Sequence, residues 1–215
     1  MALDKNIFSI RNNTRSIDSF KSRLIGGGAR PNLFEVEMAF PSVNGDDSAI
    51  FPELKDTSYR MMIKGAQLPA SNIQEVVVPF RGRQLKVAGD RRFEPWTITV
   101  INDGDFRLRE AFEKWANFIT KVSDGSGTVN PSDYYADWVV NQLGRANTDL
   151  TVTGDSNPAK IEVLRRYQMV GCWPSSVGAI ELTYDAQDVI EEFQVTMQVQ
   201  WWQAYDGQNR GSIVW

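Results

Sequence analysis

The sequence predicts a mainly β domain that carries one principal helix. Apolar and polar residues alternate with a period of two over several segments, as in strands with one buried face. One segment between residues 108 and 122 instead repeats its apolar residues at helical spacing. The chain has 215 residues, 42% of them hydrophobic and 23% charged, which suits one globular domain with long loops.

Residues 1–31 differ from the rest of the chain and form an N-terminal arm. They are mostly polar, and Gly26-Gly27-Gly28 supplies a flexible hinge near their end. A short amphipathic helix is predicted before these glycines from the spacing of Ile17, Phe20, Leu24 and Ile25. Such an arm is either a loose terminus or a segment that docks on a neighbouring molecule.

Residues 32–215 form the β domain, with long loops at 41–58 and 123–158. Period-two alternation begins at Phe34 and predicts strands at 34–40, 59–65, 73–80, 84–88, 93–101, 161–170, 179–184 and 189–202, with a shorter candidate at 150–153. Arg81-Gly82-Arg83 separates two of these strands and predicts a hairpin turn.

Two helices are predicted inside this domain. The principal one carries an apolar, partly aromatic stripe that packs on a sheet and consists of Leu108, Phe112, Trp115, Ile119 and Val122. Asn102-Asp103-Gly104-Asp105 precedes it with turn and capping residues. A second, short helix is predicted at 134–143.

The last predicted strand has an uncharged polar face. Its apolar residues alternate with a row made of Gln194, Thr196, Gln198 and Gln200. A long edge strand without lysine or proline would invite aggregation. The strand is therefore either a central strand whose polar row faces solvent, or part of a larger sheet in which this row lines a water-filled space.

Composition excludes several kinds of catalyst. The chain has no histidine and one cysteine, Cys172, so triads, Cys–His pairs, histidine-bearing metal sites and internal disulfides are excluded. The formal charge of −4 and a pI near 5.0 are atypical of a protein that grips nucleic acid. We find neither a signal peptide nor a run long and apolar enough to span a membrane.

No motif predicts an enzyme, a cofactor or a metal site. Asp103 and Asp105 suit turn and capping roles, and their spacing relative to Asp124 and Asp133 is not that of an EF-hand. An acidic stretch with Asp185, Asp188, Glu191 and Glu192 is interpreted as a solvated loop. A basic stretch with Arg81, Arg83, Lys86, Arg91 and Arg92 is interpreted as a hairpin surface that forms salt bridges to neighbouring acids, with a DNA-facing patch as the alternative. A hydrolase using the acidic stretch is the weakest alternative.

Several runs, in the same order along the chain, resemble the tail tube proteins of contractile-tailed bacteriophages. They cover roughly residues 30–203 with gaps and comprise 30–37, 68–70, 87–93 with 96–103, 171–174, 177–178, and 193–196 with 201–202. Residues 41–58, residues 123–158 and the tail after Trp202 look like additional length relative to that family.

The resemblance implies an antiparallel β-sandwich or small barrel with one flanking helix. It also implies that six copies form a ring, that inner strands join into a ring-wide barrel, and that rings stack inside a contractile sheath. The implied partners are sheath, baseplate tube-initiator and tape-measure proteins, with viral DNA passing through the lumen without specific binding. The implied location is the virion tail, assembled in the host bacterial cytoplasm.

For a subunit of such a tube, two sets of residues are candidates for function. The polar row of Gln194, Thr196, Gln198 and Gln200 is the candidate lumen surface. The candidates for contacts between subunits are Phe20, Leu24, Arg30, Phe34, Arg81, Arg83 and Arg91.

Two other functions stay open at this point. One is a tube subunit of a type VI secretion or extracellular contractile injection system, which carries protein. The other, from a different class, is a carbohydrate-binding β-sandwich, which would expose tryptophans as a sugar platform.

Overall fold

A computed structural model describes residues 17–24, 28–41, 57–145 and 163–206. The strands are β1 Phe34–Glu37, β2 Ile63–Ala66, β3 Ser71–Phe80, β4 Arg83–Phe93, β5 Trp96–Ile101, β6 Ala136–Leu143, β7 Val163–Val177, β8 Glu192–Gln198 and β9 Trp201–Asp206. The helices are α1 Ile17–Arg23, α2 Arg107–Ile119 and α3 Pro131–Tyr134, with a 3-10 helix at Thr57–Met62.

Seven strands form one antiparallel sheet, in the order β1-β6-β7-β8-β5-β2, with β9 also paired to β7. β7 is the element that joins the two halves of this sheet. Its first part pairs with β6 and with β9, whereas its last part pairs with β8. β8 and β9 therefore run in succession along β7.

β7 bends at a β-bulge around Gly171, where its register with β6 shifts between Met169 and Cys172. This glycine has a φ of +65°, a conformation that residues with a Cβ rarely adopt. A Cβ at this position would also lie 2.7 Å from Cγ of Gln200, in the connection between β8 and β9. The bend brings the two halves of the sheet to face each other, so that Trp96 of β5 and Trp138 of β6 lie 5.9 Å apart, centroid to centroid.

Both halves of the sheet contribute to one core, which α2 covers. Three fully buried tryptophans, Trp96, Trp115 and Trp138, are its largest side chains. Each indole N–H donates to a backbone carbonyl: to Gln67 at 2.6 Å, Tyr134 at 2.9 Å and Ala39 at 2.6 Å, respectively. Because a buried donor without a partner is costly, these bonds let tryptophan lie wholly inside the protein.

α2 packs by the apolar stripe that its sequence predicts. Leu108, Phe112 and Trp115 are buried, and Arg109 lies over the ring of Phe193 at 5.1 Å. The backbone N–H of Arg107 donates to the Asp103 carboxylate at 3.0 Å, which satisfies one amide of the first turn. The helix therefore lies closest to β7, and Phe112 reaches both Trp138 of β6 and Phe193 of β8.

β3 and β4 form a separate two-stranded hairpin. Its turn is Arg81-Gly82, and both residues have positive φ, as in the type I′ turns that suit twisted hairpins. One bulge interrupts the pairing, where Gln74 lies opposite both Gly89 and Asp90. All residues from Asn72 to Ala88 are exposed, so this ribbon projects from the core.

The structure confirms the mainly β class, the antiparallel arrangement and the flanking helix predicted above. The arm helix, the hairpin, the strand around Trp96–Ile101 and the principal helix are all present. The principal helix ends at Ile119, however, so that Val122 lies beyond it and is exposed.

Five predictions of local structure are wrong or incomplete. Residues 134–143 are mainly β6, because Trp138 and Val140 are buried with period two, so the predicted loop at 123–158 also contains a strand. Much of the strand predicted at 59–65 is a 3-10 helix. The strand predicted at 161–170 extends through Pro174 to Val177, and the region 179–184 is not a strand. The strand candidate at 150–153 lies outside the described residues.

Candidate assembly surfaces

An uncharged polar surface covers most of the outer face of β5 and β8. Thr97 lies opposite Thr196 and Thr99 opposite Gln194, and residues directly opposite each other in a sheet share a face. The hydroxyl oxygens of Thr97 and Thr196 are 3.5 Å apart. Gln198 continues this row, whereas Phe193, Val195 and Met197 point into the core. We call Thr97, Thr99, Gln194, Thr196 and Gln198 the polar face.

Gln200 differs from the other members of the predicted row. It follows the end of β8, where its amide donates to the hydroxyl of Tyr135 at 3.1 Å and its methylenes cover Gly171. The structure thus places Gln194, Thr196 and Gln198 together, with Gln200 at the bend beside them. Near the other end of the face, Lys64 forms an ion pair with Glu192.

The hairpin has two chemically different faces. The pairs Val76–Val87, Val78–Leu85 and Phe80–Arg83 lie directly opposite across the ribbon. Alternation along each strand therefore places five exposed apolar side chains on one face. We call Val76, Val78, Phe80, Leu85 and Val87 the hairpin apolar face.

The other face of the ribbon is mixed. It carries Glu75, Val77, Gln84 and Lys86, and Lys86 forms an ion pair with Glu75 at 2.7 Å. Arg81 at the turn stacks over Phe80, with 5.4 Å from its guanidinium carbon to the ring centroid. The hairpin thus combines an apolar surface with a basic tip.

The arm presents a smaller apolar surface. Phe20 and Leu24 of the arm are both largely exposed, and α1 has no buried residue. Arg30 is exposed as well, although its carbonyl accepts a hydrogen bond from the side chain of Gln142 at 2.7 Å. Phe34, by contrast, is half-buried and packs against the core of its own subunit.

The outer face of the other half of the sheet carries charges that are already paired. Asn141 is buried and donates to Glu35 at 2.9 Å and to Glu37 at 2.7 Å. Arg166 forms an ion pair with Glu37 at 3.0 Å. These contacts stabilise the pairing of β1, β6 and β7 and distinguish this charged surface from the polar face.

The connection between β7 and β8 forms an acidic surface, whose carboxylates were interpreted from sequence chiefly as solvated charge. Residues 179–191 contain four acids and no base. Leu182, Tyr184, Val189 and Ile190 are largely exposed among these acids. A cleft of about 410 Å³ is lined by Glu181, Leu182, Thr183, Tyr184, Ala186, Val189 and Glu191. We call residues 179–191 the acidic loop.

The predicted candidates thus occupy separate surfaces. The lumen candidates lie together on or beside β8. The exposed hairpin carries Arg81, Arg83 and Arg91, and the arm candidates lie on or near α1. Sequence reasoning missed the hairpin apolar face, although the alternation in both strands was a usable signal. Only the cross-strand register shows that the two apolar sets coincide.

Neither a metal site nor a membrane-spanning helix is found in the part of the chain that the structure describes. No group of three or more acidic or cysteine side chains there is placed to hold a metal ion. None of the helices in the same residues is long and apolar enough to cross a membrane.

Comparisons with known proteins agree with the architecture. The phage tail tube protein family matches residues 29–205. Tail tube protein gp19 of Enterobacteria phage T4 is 28% identical over 178 residues, which are 83% of this chain and 93% of that protein. The tail tube protein of Serratia phage KSP90 is 28% identical over 197 residues, 91% of this chain and 99% of that protein.

Solved structures show the same fold at lower identity. A chain in the baseplate of the anti-feeding prophage has a TM-score of 0.54 at 10% identity, covering 85% of this chain and 98% of its own length. A chain in the sheath–tube complex of an extracellular contractile injection system has a TM-score of 0.51 at 14% identity, covering 86% and 97%. The family match spans most of the chain, and tail tube proteins are structural parts of the virion tail. This chain therefore belongs to the phage tail tube protein family and is a structural tail subunit, not an enzyme.

Proposed function

We propose that this tail tube subunit closes with five further copies into a ring, and that rings stack into a hollow conduit inside a contractile sheath. Genomic DNA passes through this conduit to the host. The tube lies in the virion tail, assembles in the host cytoplasm, and meets sheath, baseplate tube-initiator and tape-measure proteins. The number six is the number that the family resemblance implies.

The observation that carries the proposal is the exposed hairpin. A ribbon with both faces in solvent is marginally stable, and its apolar face would promote non-specific association of a free subunit. Burial of that face against another copy removes both problems. Repetition of a head-to-tail contact then produces a filament.

The ends of the sheet support closure of a ring. β1 and β2 are its terminal strands, and each pairs on one side only within the described residues. An unpaired strand edge offers free N–H and C=O groups to another chain. Pairing between such edges of neighbouring copies would extend the sheet around an axis.

The polar face is the proposed lumen surface, together with Gln200. DNA binds proteins chiefly through phosphate contacts with lysine and arginine, which release counterions. A surface of threonine and glutamine side chains is hydrated and has no positive charge, so it does not hold the phosphates of DNA. Such a lining lets the genome slide, whereas the charged outer face of β1, β6 and β7 is less suited to this role.

Electron microscopy of the purified, concentrated protein tests the proposal. Rings or hollow tubes of uniform width, with six subunits per ring in class averages, are the expected result. Rings of a different subunit number would correct the stoichiometry alone. A monodisperse monomer that binds glycans would overturn the tube and favour a binding module.

The positions of the tryptophans argue against that module. A sugar platform needs exposed indole rings, yet Trp96, Trp115 and Trp138 are fully buried and hydrogen-bonded. Their role is packing. Among the described tryptophans only Trp201 is largely exposed, and one ring does not make a platform.

A further inference from the structure

We infer that the hairpin of one subunit docks on the acidic loop of the next copy, with the basic tip and Phe80 in the loop's cleft. This inference rests on the proposed function, because it names the partner surface for a contact between copies. The occupant is a second copy of this chain, bound head to tail.

The two surfaces lie at opposite ends of one strand pair. The hairpin enters β5 through Glu94-Pro95, next to Trp96, which pairs with Met197. The acidic loop enters β8 at Glu192, which pairs with Ile101 at the other end of β5. At ~3.3 Å per residue these ends are roughly 17 Å apart. When copies stack head to tail, a contact between unlike ends leaves one surface unused at each end of the stack. Further copies can therefore add by the same contact.

The charges of the two surfaces are opposite. The hairpin carries five basic side chains, Arg81, Arg83, Lys86, Arg91 and Arg92, against Glu75 and Asp90. Lys86 and Glu75 already pair with each other, which leaves an excess of arginine. The acidic loop offers Glu181, Asp185, Asp188 and Glu191 with no base. Opposite charge orients such surfaces as they approach and disfavours docking of a hairpin on another hairpin.

The apolar parts of the two surfaces also match. The hairpin apolar face is a strip of exposed aliphatic side chains that ends in Phe80. The acidic loop exposes Leu182, Tyr184, Val189 and Ile190 around a cleft large enough for an aromatic side chain. Each β3 or β4 strand spans roughly 30 Å, so the ribbon can reach well beyond its own subunit. Apolar centres rimmed by charge are typical of specific interfaces.

Cysteine cross-linking tests the contact directly. The natural Cys172 is buried, so only the engineered thiols are accessible for disulfide formation. One chain carries Arg83→Cys and the other Asp185→Cys. After mixing, assembly and mild oxidation, a disulfide dimer is expected only in the mixture. The matched control replaces Asp185→Cys by Val122→Cys, a site that is also exposed and lies on neither surface, and should give no dimer.

Microscopy of the same samples separates this inference from the proposed function. Hollow tubes without the 83–185 disulfide would overturn the contact and leave the tube intact. Absence of both tubes and disulfide at high protein concentration would overturn both. The disulfide together with stacked rings supports both.

Charge reversal provides a second test that does not depend on thiol geometry. Arg81→Glu with Arg83→Glu, or Asp185→Lys with Asp188→Lys, should each raise the critical concentration for assembly about ten-fold or more. The chain with all four changes should assemble nearly as the parent does. Lys114→Glu with Lys121→Glu on and after α2 is the matched control and should have little effect. If the variant with all four changes does not regain assembly while the control assembles, the pairing of the hairpin with the acidic loop is overturned.

Discussion

Cys172 illustrates how burial determines the chemistry of a single side chain. The thiol lies in the core, and burial raises the pKa of Cys172 to about 12 from an ordinary 9.0. Only the thiolate is a strong nucleophile, so a raised pKa suppresses reactivity. Cys172 therefore acts as a small apolar core residue.

Native protein should consequently resist alkylation at pH 8. A pKa three units higher leaves roughly a thousand-fold less thiolate at this pH, and burial adds a barrier to the reagent. Mass spectrometry after brief iodoacetamide treatment should find Cys172 unmodified in the folded chain and modified in denaturant. Ser176→Cys, exposed on the same strand, is the positive control. Rapid modification of native Cys172 would contradict its buried position.

Trp138 shows that a hydrogen bond can decide which aromatic residue occupies a core position. Trp138→Phe would remove the donor to the Ala39 carbonyl and leave a void beside Trp96. We expect a loss of about 1–3 kcal/mol in unfolding free energy, measured by urea denaturation. Trp201→Phe, at a residue 42% exposed, should cost much less. Equal effects at both positions would refute the assigned role.

At the scale of elements, the bend in β7 is the feature on which the two-layered core depends. Gly171→Ala introduces a Cβ into a left-handed backbone and against Gln200. The expected cost is about 1–2 kcal/mol for the backbone conformation, plus the displacement of Gln200. Gly104→Ala, whose Cβ would meet nothing within 4 Å, is the matched control. A melting temperature unchanged by Gly171→Ala would show that the bend does not require glycine.

The two faces of the hairpin permit an unusually close comparison between adjacent valines. Val77 is 41% exposed and Val78 43% exposed, yet they point to opposite faces. Val78→Ser should leave the melting temperature of the free subunit nearly unchanged but raise the critical concentration for assembly. Burial of a valine at an interface contributes about 1.5 kcal/mol, which corresponds to roughly ten-fold. Val77→Ser should have a smaller effect, and light scattering during assembly measures both.

At the scale of the whole molecule, the polar face determines how a conduit would treat DNA. Gln194→Lys with Gln198→Lys would place two cations per subunit on that face. If it lines the lumen, assembled tubes should retain short DNA at low salt and release it as salt rises, because phosphate binding depends on counterion release. Val122→Lys with Val129→Lys adds the same charge elsewhere. Equal retention by both variants in co-sedimentation would place the lumen elsewhere.

How far the fold could be predicted depended on where each element buries its side chains. α2 and β5 were predictable, because each packs one side on the core and therefore shows a clear period. β6 was misassigned because the alternation of its buried Ala136, Trp138 and Val140 was overlooked. The break between β8 and β9 was missed, since apolar alternation continues through Val199 although the chain bends beside Gly171.

Composition and periodicity by themselves determined the class of this protein. They show no histidine and a single cysteine, a mainly β domain with one packed helix, and an uncharged row on its last long strand. They could not determine which surfaces lie free. That depended on contacts distant in sequence, namely the bend in β7, the register of β3 with β4, and the placement of hairpin and acidic loop at opposite ends of β5. Local propensity acts between near neighbours, whereas a surface for assembly is defined by what the folded chain leaves uncovered.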